Sequence, residues 1–200
     1  MNLPQSTKAK AAKIISTAFK QYPLMLYAFK ELSDERRAIM LQRLYGKCVS
    51  GAAMYGGVIV TPDEQGAVLW LPGKNFTLGL VKEIRSGMAS IPFQIGVRST
   101  LRLMNHDGES EGWITKHAGH RMGYIWVVGV LPEARGKGYS RLLINQCIEL
   151  MREQGLTECW LKTEDRKNVT IYQKLGFTLV NEMVVKSSGI QSWAMRKMID

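Results

Sequence analysis

Arg135-Gly136-Lys137-Gly138 stands where an apolar run, Gly123–Leu131, gives way to an amphipathic segment, Gly138–Gln154. Glycines and cations at such a junction are suited to holding a phosphate. The first N–H groups of a helix lack intrahelical partners, and the helix dipole adds partial positive charge there. Arg135 and Lys137 would add full charges beside it. Two nucleotide-binding patterns can be tested against these residues. GxxxxGK[ST] fails, because Gly138 follows Lys137 and position 131 is a leucine. GxGxxG begins at Gly136 but puts Arg141 where the third glycine must let helix and strand pack closely.

The elements that would position this loop can be read from periodicity. Gly123–Leu131 is rich in β-branched and aromatic residues and predicts a central strand, with Gly129 marking a bulge or a close approach by a ligand. Leu143, Cys147, Leu150 and Met151 predict the apolar stripe of the following helix, and Gly155 its stop. Glu158–Glu164 alternates and predicts a strand, so the unit is strand–helix–strand with parallel or near-neighbour pairing. A short helix at about Asn168–Leu175 and an antiparallel pair, Phe177–Val185 and Gln191–Met198, complete the C-terminal part.

Upstream, Ser6 or Thr7 is expected to cap a first helix. Ser33 starts a second, with Ile39, Leu41, Leu44, Tyr45 and Cys48 inward. Gly56–Asp63 and Gly66–Pro72 predict a hairpin. Phe76–His120 is helical in tendency, with breaks near Gly87, Pro92 and Asp107-Gly108. Tyr22–Lys30 fits either core packing or the lip of a pocket. The whole predicts an α/β protein, α+β in the broad sense: a mixed, mostly antiparallel sheet flanked by helices, with a helical insert before the central strand.

Two blocks resemble the GNAT superfamily of N-acetyltransferases. Arg135-Gly136-Lys137-Gly138-Tyr139-Ser140 is similar to the family loop [QR]-x-x-G-x-[GA], departing at Ser140. Asp165–Phe177 is similar to a second family block, with Asn168, Tyr172, Leu175, Gly176 and Phe177 at the matching positions. Within the family, Val128–Gly138 and the terminal Trp193–Lys197 resemble puromycin N-acetyltransferase-like proteins. The resemblance implies a single acetyltransferase domain over residues 1–200, with a cofactor-binding core at about 123–198 and an acceptor-side N-terminal half. It implies acetyl-coenzyme A as co-substrate, with the pyrophosphate on the N–H groups of Arg135, Gly136, Lys137, Gly138, Tyr139 and Ser140. Main-chain groups of Val128 and Val130 would bind the pantetheine arm, the Val130 N–H would meet the thioester oxygen, and Asn168 would contact the cofactor.

Tyr172 is then the implied general acid, since a phenol stays protonated at neutral pH and can donate to a thiolate. Read without the resemblance, Tyr172 simply edges the core beside Ile171 and Leu175. Glu164, Glu182, the insert histidines or a water relay are open choices for the base. The implied acceptor is a small-molecule amine, with a protein or peptide amine as the alternative. Net charge of +10 also permits a nucleic-acid-binding module. The cations are scattered and no recognition motif is present, so no nucleic-acid partner is expected. His117 and His120, at i and i+3, could share a metal, but lack a third ligand, and no metal is expected. Three separated cysteines predict free thiols in a reducing compartment. No membrane partner is expected, because no apolar run approaches the ~20 residues that span a bilayer. The expectation is a cytoplasmic monomer or homodimer.

Overall fold

The computed structural model describes residues 3–199. Among these, six strands form one sheet: β1 (Gly57–Val60), β2 (Gly66–Pro72), β3 (Met122–Val130), β4 (Glu158–Thr163), β5 (Thr178–Val184) and β6 (Gln191–Met198). Their spatial order is β1-β2-β3-β4-β6-β5. All neighbours are antiparallel except β3 and β4, which are joined through helix α7 (Tyr139–Glu153). The mixed, mostly antiparallel sheet is the one the sequence predicts.

Alternation along the strands sorts the core into two faces. Ala67 and Leu69 of β2 and Val127 of β3 pack with helices α1 (Gln5–Ala18), α2 (Pro23–Ala28) and α3 (Asp34–Tyr55). Val68, Trp70 and Ile125 face the other way, onto α7 and onto α8 (Arg166–Gln173). On α7, Leu143, Ile144, Cys147, Ile148 and Met151 are buried, whereas Leu150 is exposed, contrary to expectation. Burying each large apolar side chain gains about 1.5–3 kcal/mol, so docking of this stripe, not intrinsic propensity, holds the helix.

The insert is three helices: α4 (Leu80–Ser86), α5 (Ile91–Ile95) and α6 (Val97–His117). The expected break at Asp107-Gly108 does not occur; α6 runs through it. Gly108 costs roughly 1 kcal/mol in a helix. Burial of Leu103 and Ile114 on the same helix outweighs that. The break expected near Pro92 is the start of α5 at Ile91, with Pro92 in the first turn, where its missing N–H costs nothing, and a further break falls at Gly96. Smaller corrections have similar causes. Helix α1 begins at Gln5 after Pro4, so Ser6 and Thr7 lie inside its first turn and cap nothing. Ile39 of α3 is 50% exposed, off the stripe formed by Leu41, Leu44, Tyr45 and Cys48. Asp165, whose carboxylate accepts from the Lys167 N–H, starts α8 at Arg166, ahead of Asn168.

Two irregularities in β3 shape the interior. Register passes from Leu69↔Val127 to Trp70↔Ile125, so Trp126 is the extra residue of a bulge. Gly129, where the sequence suggests the bulge or a ligand, serves another purpose: a Cβ there would lie 3.1 Å from Ala18 Cβ and 3.3 Å from Ile15 Cα, so it lets α1 pack on the strand. On its other edge, β3 pairs with β4 only across Met122–Tyr124 and Glu158–Trp160. Beyond Tyr124 the two strands part.

Candidate active site

The parted strands open onto a cavity of about 650 Å³, bordered by Ile125–Val128 on one side and Leu161, Lys162 and Glu164 on the other. Leu131 N–H is bonded to Gln65 O, across the β2 edge. Strand alternation therefore turns the N–H and C=O groups of Gly129 toward β2, and those of Val128 and Val130 toward the gap. Val128 borders the cavity; Val130 lies beyond its lining, toward the loop.

The Arg135 and Lys137 N–H groups donate within the loop, to the Pro132 (3.3 Å) and Ala134 (3.4 Å) carbonyls, and the open backbone donors are those around Gly136 and Gly138. Gly136 and Gly138 have φ of 79° and 88°, the left-handed region that side chains disfavour, while the space around both is empty. Gly138 is the N-cap of α7, and no side chain caps the first turn, which leaves its N–H groups for a ligand. Arg135 donates through Nη2 to the Ala18 carbonyl at the end of α1 (3.1 Å). The Tyr139 hydroxyl donates to the Asp63 carboxylate in the β1–β2 turn, and that bond pulls the Asp63 carboxyl below its ordinary range. These contacts pin the loop at both ends. Lys137 is exposed and Ser140 partly so.

Asn168 and Tyr172 both reach the cavity from α8. Asn168 Nδ2 donates to Thr163 Oγ1 (3.1 Å). Tyr172 is 7% exposed and packs near Phe177, so it does edge the core. Its hydroxyl nevertheless has no hydrogen-bond partner among the described residues. Burial, then the nearby Glu164 carboxylate, raise its pKa, so it stays protonated across the physiological range. Val128, Asn168 and Tyr172 thus share one cavity, with Val130 and the Arg135–Ser140 loop outside its lining.

Glu164 is the hub of a buried polar cluster. Tyr22 Oη donates to its Oε2 at 2.9 Å; Lys162 Nζ (3.0 Å), His106 Nε2 (3.2 Å) and Ser192 Oγ (3.3 Å) donate to Oε1. Burial alone would raise its pKa, but Lys162 and His106 outweigh this and hold it at about 2. A carboxylate so saturated is a poor proton acceptor at neutral pH. Glu182 sits on β5, bonded to Gln191, outside the cavity lining. His117 stacks on Trp113 and donates to its carbonyl, while His120 is exposed. His106 alone of the three histidines is buried, against Glu164 and Ser188.

The sequence reading missed Asp107 and Glu111. Both border the cavity from α6; Lys162 donates to Asp107 Oδ1 (2.7 Å), and the Tyr124 hydroxyl donates to Glu111 Oε1 (3.1 Å). Their signal was present: Thr100, Leu103, Asp107, Glu111 and Ile114 follow helical spacing, so the acids lie on the apolar face. The assumed break at Asp107-Gly108 hid it. Burial, then Asp107, push the Glu111 carboxyl up to about 8. Because this lies above the ~4.3 of an unfolded glutamate, the group's contribution to stability is full below the unfolded value and declines as pH rises to about 8. Glu111→Gln should shrink the fall in unfolding free energy between acidic and mildly alkaline buffer. Urea titrations showing an equal fall in both proteins would contradict this.

Comparison with known proteins agrees with this geometry. Residues 98–177 match the model of the acetyltransferase (GNAT) family. An uncharacterized N-acetyltransferase of Schizosaccharomyces pombe is 24% identical over 173 residues, covering 84% of this chain and 69% of that protein. Mycothiol acetyltransferase of Streptomyces griseus is 36% identical over 80 residues, covering 38% of this chain and only 26% of its own length. The crystal structure of arylalkylamine N-acetyltransferase 2 from Aedes aegypti has the same fold, with TM-score 0.66, 15% identity and coverage of 100% of this chain and 98% of that one. Residues 98–177, which carry the phosphate-type loop, the parted strand β3 and helix α8, are thus similar to the acetyltransferase (GNAT) family.

Proposed function

We propose that the protein moves an acetyl group from acetyl-coenzyme A to the amine of a small molecule by direct attack. The observation that carries this is the gap between β3 and β4: it runs from an uncapped helix N-terminus into a cavity bordered by Tyr172, whose hydroxyl has no hydrogen-bond partner among the described residues. N–H groups of Gly136, Gly138, Tyr139 and Ser140 hold the pyrophosphate, those of Arg135 and Lys137 being bonded within the loop, and the free edge of Val128 and Val130 binds the pantetheine arm. Asn168 borders the same channel. The N–H of Val128, which reaches the cavity, meets the thioester oxygen more readily than that of Val130. Tyr172 protonates the leaving thiolate.

A small acceptor is favoured over a peptide terminus because α2 and the insert line a cavity of about 650 Å³, within the size range of small-molecule sites. Similarity to mycothiol acetyltransferase, a protein named for a small acceptor, agrees with this. So does the resemblance of Val128–Gly138 and Trp193–Lys197 to puromycin N-acetyltransferase-like proteins. Coenzyme A at 100 times its Kd should stabilise the fold by about 2.7 kcal/mol. For a chain of 200 residues that is a rise in Tm of roughly 5–10 °C. The reading fails if neither coenzyme A, acetyl-coenzyme A nor a longer acyl-coenzyme A shifts the melting curve.

A further inference from the structure

The cavity's wall and its charges point to different parts of one ligand. Most of the wall is apolar, with Met25, Leu44, Tyr45, Phe76, Leu103 and Trp126 around it. Its charged groups are Glu83, Asp107, Glu111 and Glu164 against one lysine, Lys162. The chain as a whole is +10, so this local reversal does not follow from composition.

The carboxyl groups are not equally satisfied. Glu164 accepts from four side chains, and Asp107 accepts from Lys162. Glu111 accepts only from the Tyr124 hydroxyl among the described residues. It is partly exposed, and it borders the cavity. Buried carboxyl groups need a cation or several donors, and Lys162 pairs with Asp107 and Glu164 but not with Glu111. A second, independent observation also points to a ligand in this space: Tyr172, 7% exposed and bordering the same cavity, has a hydroxyl with no hydrogen-bond partner among the described residues.

We propose that the acceptor is a hydrophobic primary amine whose apolar body lies along this wall and whose ammonium sits against Asp107 and Glu111, with Glu111 taking the proton the amine must lose. This deepens the transferase reading and rests on it. The Glu111 carboxylate accepts one ammonium proton and passes it to solvent, leaving a neutral amine. The nitrogen lone pair forms the C–N bond at the thioester carbonyl as the C–S bond breaks. The thiolate gains the Tyr172 proton, and the second proton of the nitrogen returns to Tyr172. One amide, one thiol and one released proton result.

The groups facing Glu111 are Asp107 on its own helix, Tyr124 on β3, Lys162 on β4 and Glu164 just past β4. Burial and the two acids favour its protonated form, while Lys162 and Tyr124 oppose them, and the carboxyl is pushed up to about 8. As a base it must be ionised, so kcat/KM should rise with pH through that region. With acetyl-coenzyme A, phenethylamine and n-octylamine should react with kcat/KM at least about tenfold above spermidine and glucosamine, because a buried methylene-rich body gains transfer energy that the polar amines lack. Glu111→Gln should lower kcat/KM about tenfold or more near neutrality and abolish the alkaline limb. Its coenzyme A-induced rise in Tm should equal that of the parent.

Preference for the polar amines would overturn the acceptor assignment. An unchanged pH profile in Glu111→Gln would overturn the base. Should that variant fail to fold, the amine panel on the unaltered protein still decides the acceptor class, and its pH profile, rising or flat, decides the base. The two readings fail separately: absence of a melting shift with coenzyme A sinks the transferase itself, whereas a normal shift with spermidine as the best acceptor sinks only this inference.

Discussion

Replacing Tyr172 with Phe is expected to lower kcat by roughly 10²-fold or more, the usual worth of a positioned proton donor, with coenzyme A binding essentially unchanged. The ring should remain where it is. Its packing comes from Phe177 and the buried face of α8 with Val169, which Phe preserves, and its hydroxyl makes no hydrogen bond whose loss would unsettle the fold. The substitution therefore removes a proton and little else. Stopped-flow measurement of thiol release, set beside coenzyme A titration, checks it. Unchanged turnover would return Tyr172 to a purely structural role at the edge of the core.

Glu164→Ala should be the most destabilising single change at the site, by about 3–5 kcal/mol, the range found when one partner of a buried ion pair is removed. Four donors lose their acceptor at once: Tyr22, Lys162, His106 and Ser192, three of them with little access to water. Lys162 keeps Asp107, which limits the loss. The parent protein should show the matching pH dependence. The Glu164 carboxyl is held at about 2, below an unfolded glutamate near ~4.3, so its stabilisation is present above the unfolded value and is lost as pH falls toward 2. Chemical denaturation across that range tests both statements. A drop under about 1 kcal/mol for the alanine variant would mean that water already satisfies these groups.

Much of the local structure around the proposed cofactor site was legible because its signals are local. The Gly136 and Gly138 conformations, the uncapped start of α7 and the placement of Asn168 and Tyr172 on α8 are each written within a dozen residues. The two hairpins, β1–β2 and β5–β6, were legible for the same reason, since alternation and turn residues lie side by side, whereas the antiparallel pairs β2–β3 and β4–β6 join strands distant in sequence. The acceptor side was not. Asp107 and Glu111 acquire meaning only when α6 is laid beside β4, so that Lys162, 55 residues on, meets Asp107. Tyr22 and Glu164 are 142 residues apart and meet only in the folded core. The misassigned break at Asp107-Gly108 came from weighing local propensity above packing, the term that decides a long buried helix. Gly129 misled in a related way: its small size answers to α1, an element more than a hundred residues upstream.

The central claim, that the loop, the parted strands and Tyr172 together move an acetyl group onto an amine, is tested most directly by following the acetyl carbon. The protein would be incubated with acetyl-coenzyme A labelled with carbon-13 in the acetyl group and with phenethylamine, and the products read by mass spectrometry and NMR. The account predicts labelled N-acetyl amide in step with free thiol, and about 10²-fold less of both with Tyr172→Phe. Free thiol without labelled amide for any amine offered, or no thiol at all despite coenzyme A binding, would contradict it.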